Sequence, residues 1–329
     1  MIGKISPKDL ERFIFTRLGA KDGRVLVGPS YGEDSCAIDL GNCFLVASSD
    51  PIIFAEERIG NLGVSIACND VAASGAMPMW ILPIYYIPED GRGILDEITK
   101  QVDYEARRIG VSVVGGHTEI VPGIKRPLIS MTCLGTTKKF VRSSGAREGN
   151  MVILTKSAAI EGTGIIATDF KEKLMEKGIT EEEIAVAEGM LDRISVVEDA
   201  MVLREFATSM HDPTEGGVLA GAYEMAVASG VSFDLRVEDI PLDPVVERIC
   251  GAMGIDPLRI FASGALLATV PRELSPSALK KLDEKGVKGR VIGVVKKGEG
   301  ISLMDKDGGV EKICDPEMLR DEMYGLWPR

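Results

Sequence analysis

Residues 61–78 read NLGVSIACNDVAASGAMP, a stretch of small and apolar residues with Asn69 and Asp70 at its centre. A helix that is apolar all round has no face to offer water, so it belongs inside a packed core. Burial there makes Asp70 expensive, because a carboxylate taken out of water costs several kcal/mol unless a partner answers it. Other carboxylates stand in similarly small or apolar surroundings. Glu33 and Asp34 follow Gly32 just ahead of a strand-like run, Asp50 closes CFLVASSD, and Glu119 ends GGHTE (115–119) after the run VSVV. Taken singly, each reads as a cap, a turn or a buried ion pair. Taken together, they sit at strand ends and a helix, where an α/β fold can gather residues into one crevice.

Converging carboxylate oxygens suit a hard cation. Mg2+ binds through a few carboxylates, keeps several waters and takes substrate phosphates as further ligands. Without the cation the same carboxylates would repel a polyphosphate. The set therefore points to a magnesium–nucleotide site, and the glycines beside the acids suit close approach of backbone to phosphate oxygens. Arg142, Arg147 and Lys156 are candidate phosphate contacts or plain solvated charges. In HDPTEGG (211–217), Asp212 and Thr214 can cap the apolar helix that follows, while Gly216 and Gly217 would let an anion approach its N-terminus.

The rest of the chain narrows the class. Its 329 residues suffice for about two domains. With 38 basic against 50 acidic residues, the formal net charge is −12, and the chain lacks the basic face that non-specific binding to nucleic acid or an anionic membrane requires. No run approaches about 18 uninterrupted apolar residues. The opening MIGKISPKDLERF lacks the apolar core of a secretory leader, so a cytoplasmic protein is expected. Cys36, Cys43, Cys68, Cys133, Cys250 and Cys314 form no CxxC pair and read as reduced residues.

A polar segment, RSSGAREGN (142–150), separates two series of strands and helices, which places a domain boundary there and predicts domains 1–148 and 149–329. The first carries 17 basic and 18 acidic residues, net −1; the second carries 21 and 32, net −11. In the first domain helices are expected over 5–18 and 93–109, and strands over 36–40, 43–47, 80–86, 111–114 and 128–135. In the second, helices are expected over 164–176, 181–193, 196–209, 217–228, 244–253 and 276–285. Strands are expected there over 151–155, 231–237, 265–270 and 290–295. Strands interleaved with helices give an α/β or α+β class.

Other chemistries lack their signatures. There is no GxxxxGK[ST] phosphate loop. The GxGxxA of Gly162–Ala167 follows its strand only after five intervening residues, beside Glu161, and reads better as a plain helix start. A zinc site has no Cys or His at ligand spacing, and a Ser-His-Asp hydrolase has no GxSxG elbow.

Taken in order, GEDSCAID (32–39), SSD (48–50), NDVAASGAMP (69–78), GGHTE, RSSGAREGN and HDPTEGGV (211–218) resemble the motif series of the aminoimidazole-ribonucleotide synthetase-like (PurM-like) superfamily, over nearly the whole chain. LERFIFTRLGA (10–20), IEGTGIIATDF (160–170) and HDPTEGGV are most similar to its branch of hydrogenase maturation protein HypE and related proteins. The resemblance implies a ferredoxin-like N-terminal domain that pairs in a homodimer to form a shared barrel, followed by an α/β C-terminal domain. It implies ATP and Mg2+ as cofactors, with Asp34, Asp50 and Asp70 on the metal. Gly115, Gly116, Thr118, Asn69, Arg142, Asp212, Thr214, Gly216 and Gly217 would then serve the nucleotide, and His117 and Glu119 would do catalytic polar work. The implied chemistry is activation of an amide or carbonyl oxygen by phosphorylation. The acceptor would be an unidentified small or protein-borne group, with other maturation proteins as partners. A kinase resembling thiamine-monophosphate kinase and a non-catalytic nucleotide-binding maturation partner are the competing expectations. Two departures stand out: Glu33 where a first Asp is usual, and an ending, MYGLWPR, without the terminal cysteine that accepts the carbamoyl group in HypE.

Overall fold

The computed structural model describes residues 3–53 and 57–327. After a short helix α1 (Pro7–Phe13), the first half runs β1 (Val25–Val27), β2 (Cys36–Asp39), β3 (Phe44–Ile52), α2 (Ile59–Ala73), β4 (Met77–Ile87), α3 (Arg92–Ile109), β5 (Ser112–Val113), β6 (His117–Ile120) and β7 (Leu128–Thr137). The second half runs β8 (Met151–Thr155), α4 (Ile160–Asp169), α5 (Lys171–Glu176), α6 (Glu181–Glu188), α7 (Val197–Leu203), β9 (Ser209–His211), α8 (Gly217–Ser229), β10 (Ser232–Arg236), α9 (Pro244–Met253), β11 (Leu267–Val270), α10 (Ser275–Glu284), β12 (Gly289–Lys296), β13 (Gly300–Met304) and β14 (Val310–Ile313).

Each half builds its own seven-stranded sheet. In the first, β7 lies between β3 and β4 and is antiparallel to both, so β3, α2 and β4 form a split β-α-β unit. β5 and β6 both pair in parallel with β4. The second sheet follows the order β14-β13-β10-β12-β8-β11-β9. The architecture is a mixed α/β one, as expected from the alternating pattern.

Helix α2 behaves as its composition demands: every residue except Asn61 is buried. It packs on α3, β3 and β7 within its own half, and on α7 of the other. One apolar cluster consequently runs from Val46, Leu62, Ile81 and Met131 into Ile160, Ile184, Val246 and Phe261, so the two halves share a core. On the sheet, β4 and β7 alternate buried and half-buried residues. Trp80, Leu82, Ile84, Tyr86, Leu128 and Leu134 thus form a partly exposed apolar face on the side away from the buried residues.

Several expected elements shift, each for a local reason. The first helix covers only Pro7–Phe13, begun by Ser6, whose hydroxyl accepts from the Asp9 N–H with Pro7 at the first helical position. The strand expected to end at Ala47 continues to Ile52, which brings Asp50 inside it. The helix expected over 164–176 starts earlier, after Ala159 in a left-handed conformation (φ 57°), and breaks at Phe170. The helix expected over 196–209 ends at Leu203. Thr208 N–H then bonds the Thr269 carbonyl, and Ser209–His211 joins the sheet against β11. This last correction matters, because β9 delivers His211 and Asp212 to the site. β1, β6, β13 and β14 are strands the periodicity does not reveal.

Candidate functional site

The apolar helix α2, the strand β3, the loop before β2 and the end of β9 converge on one cleft of about 700 Å³. Asp34 comes from the loop, Asp50 from β3, Asp70 from α2, and His211 with Asp212 from β9. The loop reaches its place because Gly32, at φ +79°, has no side chain: a Cβ there would meet the Glu224 carbonyl oxygen of α8 at 2.8 Å.

The four aspartates outnumber their counter-charges. Ser48 Oγ lies 2.5 Å from Asp70 Oδ2 and 3.1 Å from Asp50 Oδ2, so its single proton serves two carboxyl groups. Burial, then Asp50, Asp212 and Asp34, push the Asp70 pKa well above the usual carboxylate range. Burial and then Asp34 do the same to Asp212. Asp212 is 1% exposed; neither of its oxygens meets an N–H or hydroxyl donor, and the side chain set against it is another carboxyl group, Asp70. A buried carboxyl group that meets chiefly other carboxyl groups is under-neutralised, the state a bound cation would relieve. The donor set, all oxygen, suits Mg2+.

His211 is differently placed. Ligand atoms of Asp34, His211 and Asp212 lie within 4.8 Å of one another, a spacing a metal could use. Both ring nitrogens are already engaged, however. Nδ1 meets Asp34 Oδ1, and Nε2 lies 3.0 Å from Glu224 Oε2 on α8. Burial opposes the charged imidazole, but Asp34 and Glu224 outweigh it and raise the pKa to about 10. Glu224 in turn is driven to about 2 against its burial, by Lys4 and His211. The imidazolium is therefore a fixed cation beside the aspartates, holding Asp34 from behind.

Other expected site residues fall elsewhere. Asn69 faces the second half: its Nδ2 donates to the Ile194 carbonyl at 3.0 Å and its Oδ1 accepts from Val196 N–H at 2.8 Å. It joins the two halves structurally, directly beside Asp70. Glu33 accepts from Ser143 N–H and Ser144 Oγ, so the extra methylene of this departure serves a loop contact. Arg142 is exposed and donates to the Leu26 carbonyl; Arg147 is exposed as well.

Thr214 and Gly216 line the cleft, but neither Asp212 nor Thr214 caps α8. The N-cap is Gly216 in a left-handed conformation, and its N–H donates to Asp321 Oδ2 at 2.8 Å. That helix N-terminus is occupied by this chain's own Asp321 carboxyl group. Gly217 is required by packing, since a Cβ would lie 2.4 Å from the Leu258 carbonyl oxygen. Gly115, Gly116, His117, Thr118 and Glu119 are exposed at the β6 side of the first sheet and do not border the cleft. His117 Nε2 and Glu119 Oε2 are 3.8 Å apart.

Lys156 belongs to a second, larger cavity of about 1000 Å³, lined also by Arg193, Asp199 and Asp243. There the buried Asp199 already has its cation, Lys156 Nζ at 3.1 Å. The cleft with unanswered carboxylates is thus the stronger candidate site. Its walls include residues that sequence reasoning passed over: Lys4, Ser48, Glu224 and Asp321. Two of them carried a signal: Ser48 as the first residue of SSD (48–50), and Glu224 as a lone acid within the apolar VLAGAYEMAVA.

This fold is that of a known class. The family model for the N-terminal domain of AIR synthase related protein matches residues 32–137, and that for the C-terminal domain matches 147–306. The chain belongs to this family. Among its relatives, a hydrogenase expression/formation protein of Methanocaldococcus jannaschii is 26% identical over 310 residues, covering 90% of this chain and 89% of that protein. HupE, a hydrogenase expression/formation protein of Azotobacter chroococcum, is 31% identical, with coverage of 80% and 79%. Carbamoyl dehydratase HypE of Rhizobium leguminosarum is 29% identical, with coverage of 75% and 72%. The same fold occurs in a ThiL complexed with AMPPCP and TMP (TM-score 0.74, 23% identity, covering 94% of this chain and 97% of that one). It occurs also in HypE in complex with ATP (0.70, 21%, 94% and 95%) and in a HypE–HypF complex (0.72, 22%, 85% and 92%). Among the described residues no helix is long and apolar enough to cross a membrane.

Proposed function

We propose that this chain is an Mg-ATP-dependent enzyme of hydrogenase maturation that activates an amide or carbonyl oxygen by phosphorylation. The observation that carries the reading is Asp212: a buried carboxylate that no N–H or hydroxyl donor answers, set against the carboxyl groups of Asp34 and Asp70 across the junction of the two halves. Kinship with HypE and HupE proteins, and ATP or AMPPCP on the solved relatives, support the nucleotide. Asp34, Asp50, Asp70 and Asp212 would hold the metal. When bound, Mg2+ would neutralise phosphate charge and orient the phosphoryl group for transfer.

The chain's own groups prepare that state. Ser48 keeps Asp50 and Asp70 side by side, His211 fixes Asp34, and Leu10, Phe15, Leu319 and Tyr324 wall the cleft against bulk water. A homodimer would cover the partly exposed apolar face around Trp80, Ile84 and Tyr86, and the roles given to His117 and Glu119 require that second copy. A HypF-like partner and a cytoplasmic setting complete the reading, with domains meeting near residue 148.

Isothermal titration of ATP tests it: binding is expected with Mg2+ and is expected to fall at least about tenfold without it. No binding in either condition would refute the proposal. The cleft is large enough for a small acceptor, which keeps a kinase reading in play. ADP release on addition of thiamine monophosphate, and none with carboxamides, would replace the first reading with the second. ATP binding without ADP release in either assay would favour a non-catalytic partner.

A further inference from the structure

The cleft carboxylates are tied to the start of the chain. Lys4 Nζ lies 3.4 Å from Glu224 Oε1, Glu224 Oε2 is 3.0 Å from His211 Nε2, and His211 Nδ1 meets Asp34 Oδ1. Asp34 Oδ2 then accepts from Ser143 Oγ at 3.1 Å. Charges alternate along this line, positive and negative by turns, over 220 residues of sequence separation between Lys4 and Glu224. Lys4 is also anchored through its backbone, whose N–H donates to Glu215 Oε1 at 2.8 Å. Gly3 beside it adopts φ +108°, and a Cβ there would meet Glu215 Oε1 at 2.4 Å and the Tyr324 ring at 2.9 Å.

Packing alone does not explain why this segment lies across the cleft. Helix α1 buries none of its residues, and Ile5, Phe13 and Ile14 remain exposed. Lys4, Ile5, Ser6, Pro7, Leu10 and Phe15 nevertheless form one wall of the cleft. Lys4 is the one lysine among the described lining residues. Polar contacts add to the shallow packing of the half-buried Pro7, Leu10 and Phe15, and they end on a carboxylate assigned to the metal.

We propose that His211 is a positioning residue for Asp34 and that Lys4 acts on the same carboxylate through Glu224 and His211, so that the N-terminal segment is a working part of the metal site. The inference rests on the magnesium reading above. Outer partners of metal ligands fix ligand orientation, and losing one weakens metal binding by about 10–100-fold. His211 is such a direct partner of Asp34. Lys4 reaches Asp34 only through Glu224 and His211, and its effect is correspondingly smaller.

The sign of the effect discriminates. Deleting a positive charge from an acidic cleft should by Coulomb attraction alone tighten cation binding. A positioning role predicts the opposite. The probe is Mn2+ alone, titrated into the full-length protein and read by electron paramagnetic resonance, with thermal melts to confirm folding. Wild type is expected to bind. His211→Gln is expected to bind about tenfold or more weakly, and Lys4→Met about three- to tenfold more weakly. Lys4→Arg should restore wild-type affinity. Lys4→Met should add nothing in a Glu224→Gln background, because the chain is already cut there. Unchanged or tighter Mn2+ binding by folded Lys4→Met, with wild type binding normally, overturns this inference alone. Absence of Mn2+ binding by wild type overturns it together with the magnesium reading.

Discussion

Helices α2 and α8 make an instructive pair. Both are apolar nearly all round, both are buried, and each carries one acid toward the same cleft, Asp70 on the first and Glu224 on the second. Their electrostatic states are opposite. Asp70 meets further carboxylates and is pushed above the usual range, whereas Glu224 meets Lys4 and His211 and is drawn down to about 2. Burial is common to both, so burial does not decide the outcome; the sign of the neighbours does. Glu224 already has its cations within the chain. Asp70 lacks one, which is the property expected of a ligand for an incoming metal.

Cutting the satisfied side of the pair should have the largest effect on folding. His211→Ala leaves Asp34 and Glu224 buried without their shared cation, and should cost about 3–5 kcal/mol in chemical denaturation. A loss below about 1 kcal/mol would mean that solvent already screens the contact. The unsatisfied side should respond in the other direction. Asp70→Asn removes an acid that burial among carboxyl groups forces toward its protonated form and should stabilise the metal-free protein at neutral pH by about 1–2 kcal/mol, while weakening Mg2+-dependent ATP binding at least about tenfold. A destabilised Asp70→Asn with unchanged ATP affinity would remove Asp70 from the ligand set.

Asp321 offers the smallest and most graded test. It is buried at the N-terminus of α8, accepting from Gly216 and Met323 N–H, yet burial, with Glu215 and Glu161 nearby, raises its pKa to about 7. An acid whose pKa is higher in the folded than in the unfolded state binds more protons when folded. Its contribution to stability is therefore complete below about pH 4 and is lost as pH rises toward 7. The melting temperature of Asp321→Asn relative to wild type should climb across that window. A difference that stays flat from pH 4 to 8 would show that Asp321 ionises normally.

The same pair of helices shows how far the sequence could be read. An acid inside an apolar run marked Asp70, and the order of motifs around it pointed to Asp34 and Asp50 and to the family. VLAGAYEMAVA carried the same mark for Glu224, but a helix that follows HDPTEGG reads first as a capped anion site. The cap is instead supplied by Asp321, about a hundred residues further on, and no local pattern encodes so distant a partner. Lys4 was illegible for the same reason. Asn69 shares a motif with Asp70, yet its neighbour faces the cleft while its own side chain, turned to another side of α2, binds the 194–196 backbone, and the motif does not separate the two directions. GGHTE was legible as a motif, but its distance from the cleft depends on how β6 pairs with β4, which the motif does not specify.

The central claim is that the carboxylates of both halves form a single cation site. Titration of Mn2+ into wild type and Asp212→Asn, followed by electron paramagnetic resonance, tests it most directly. The account predicts saturable binding by wild type that weakens at least about tenfold in the variant, with the fold intact. Equal binding by both proteins, or none by wild type, would contradict it.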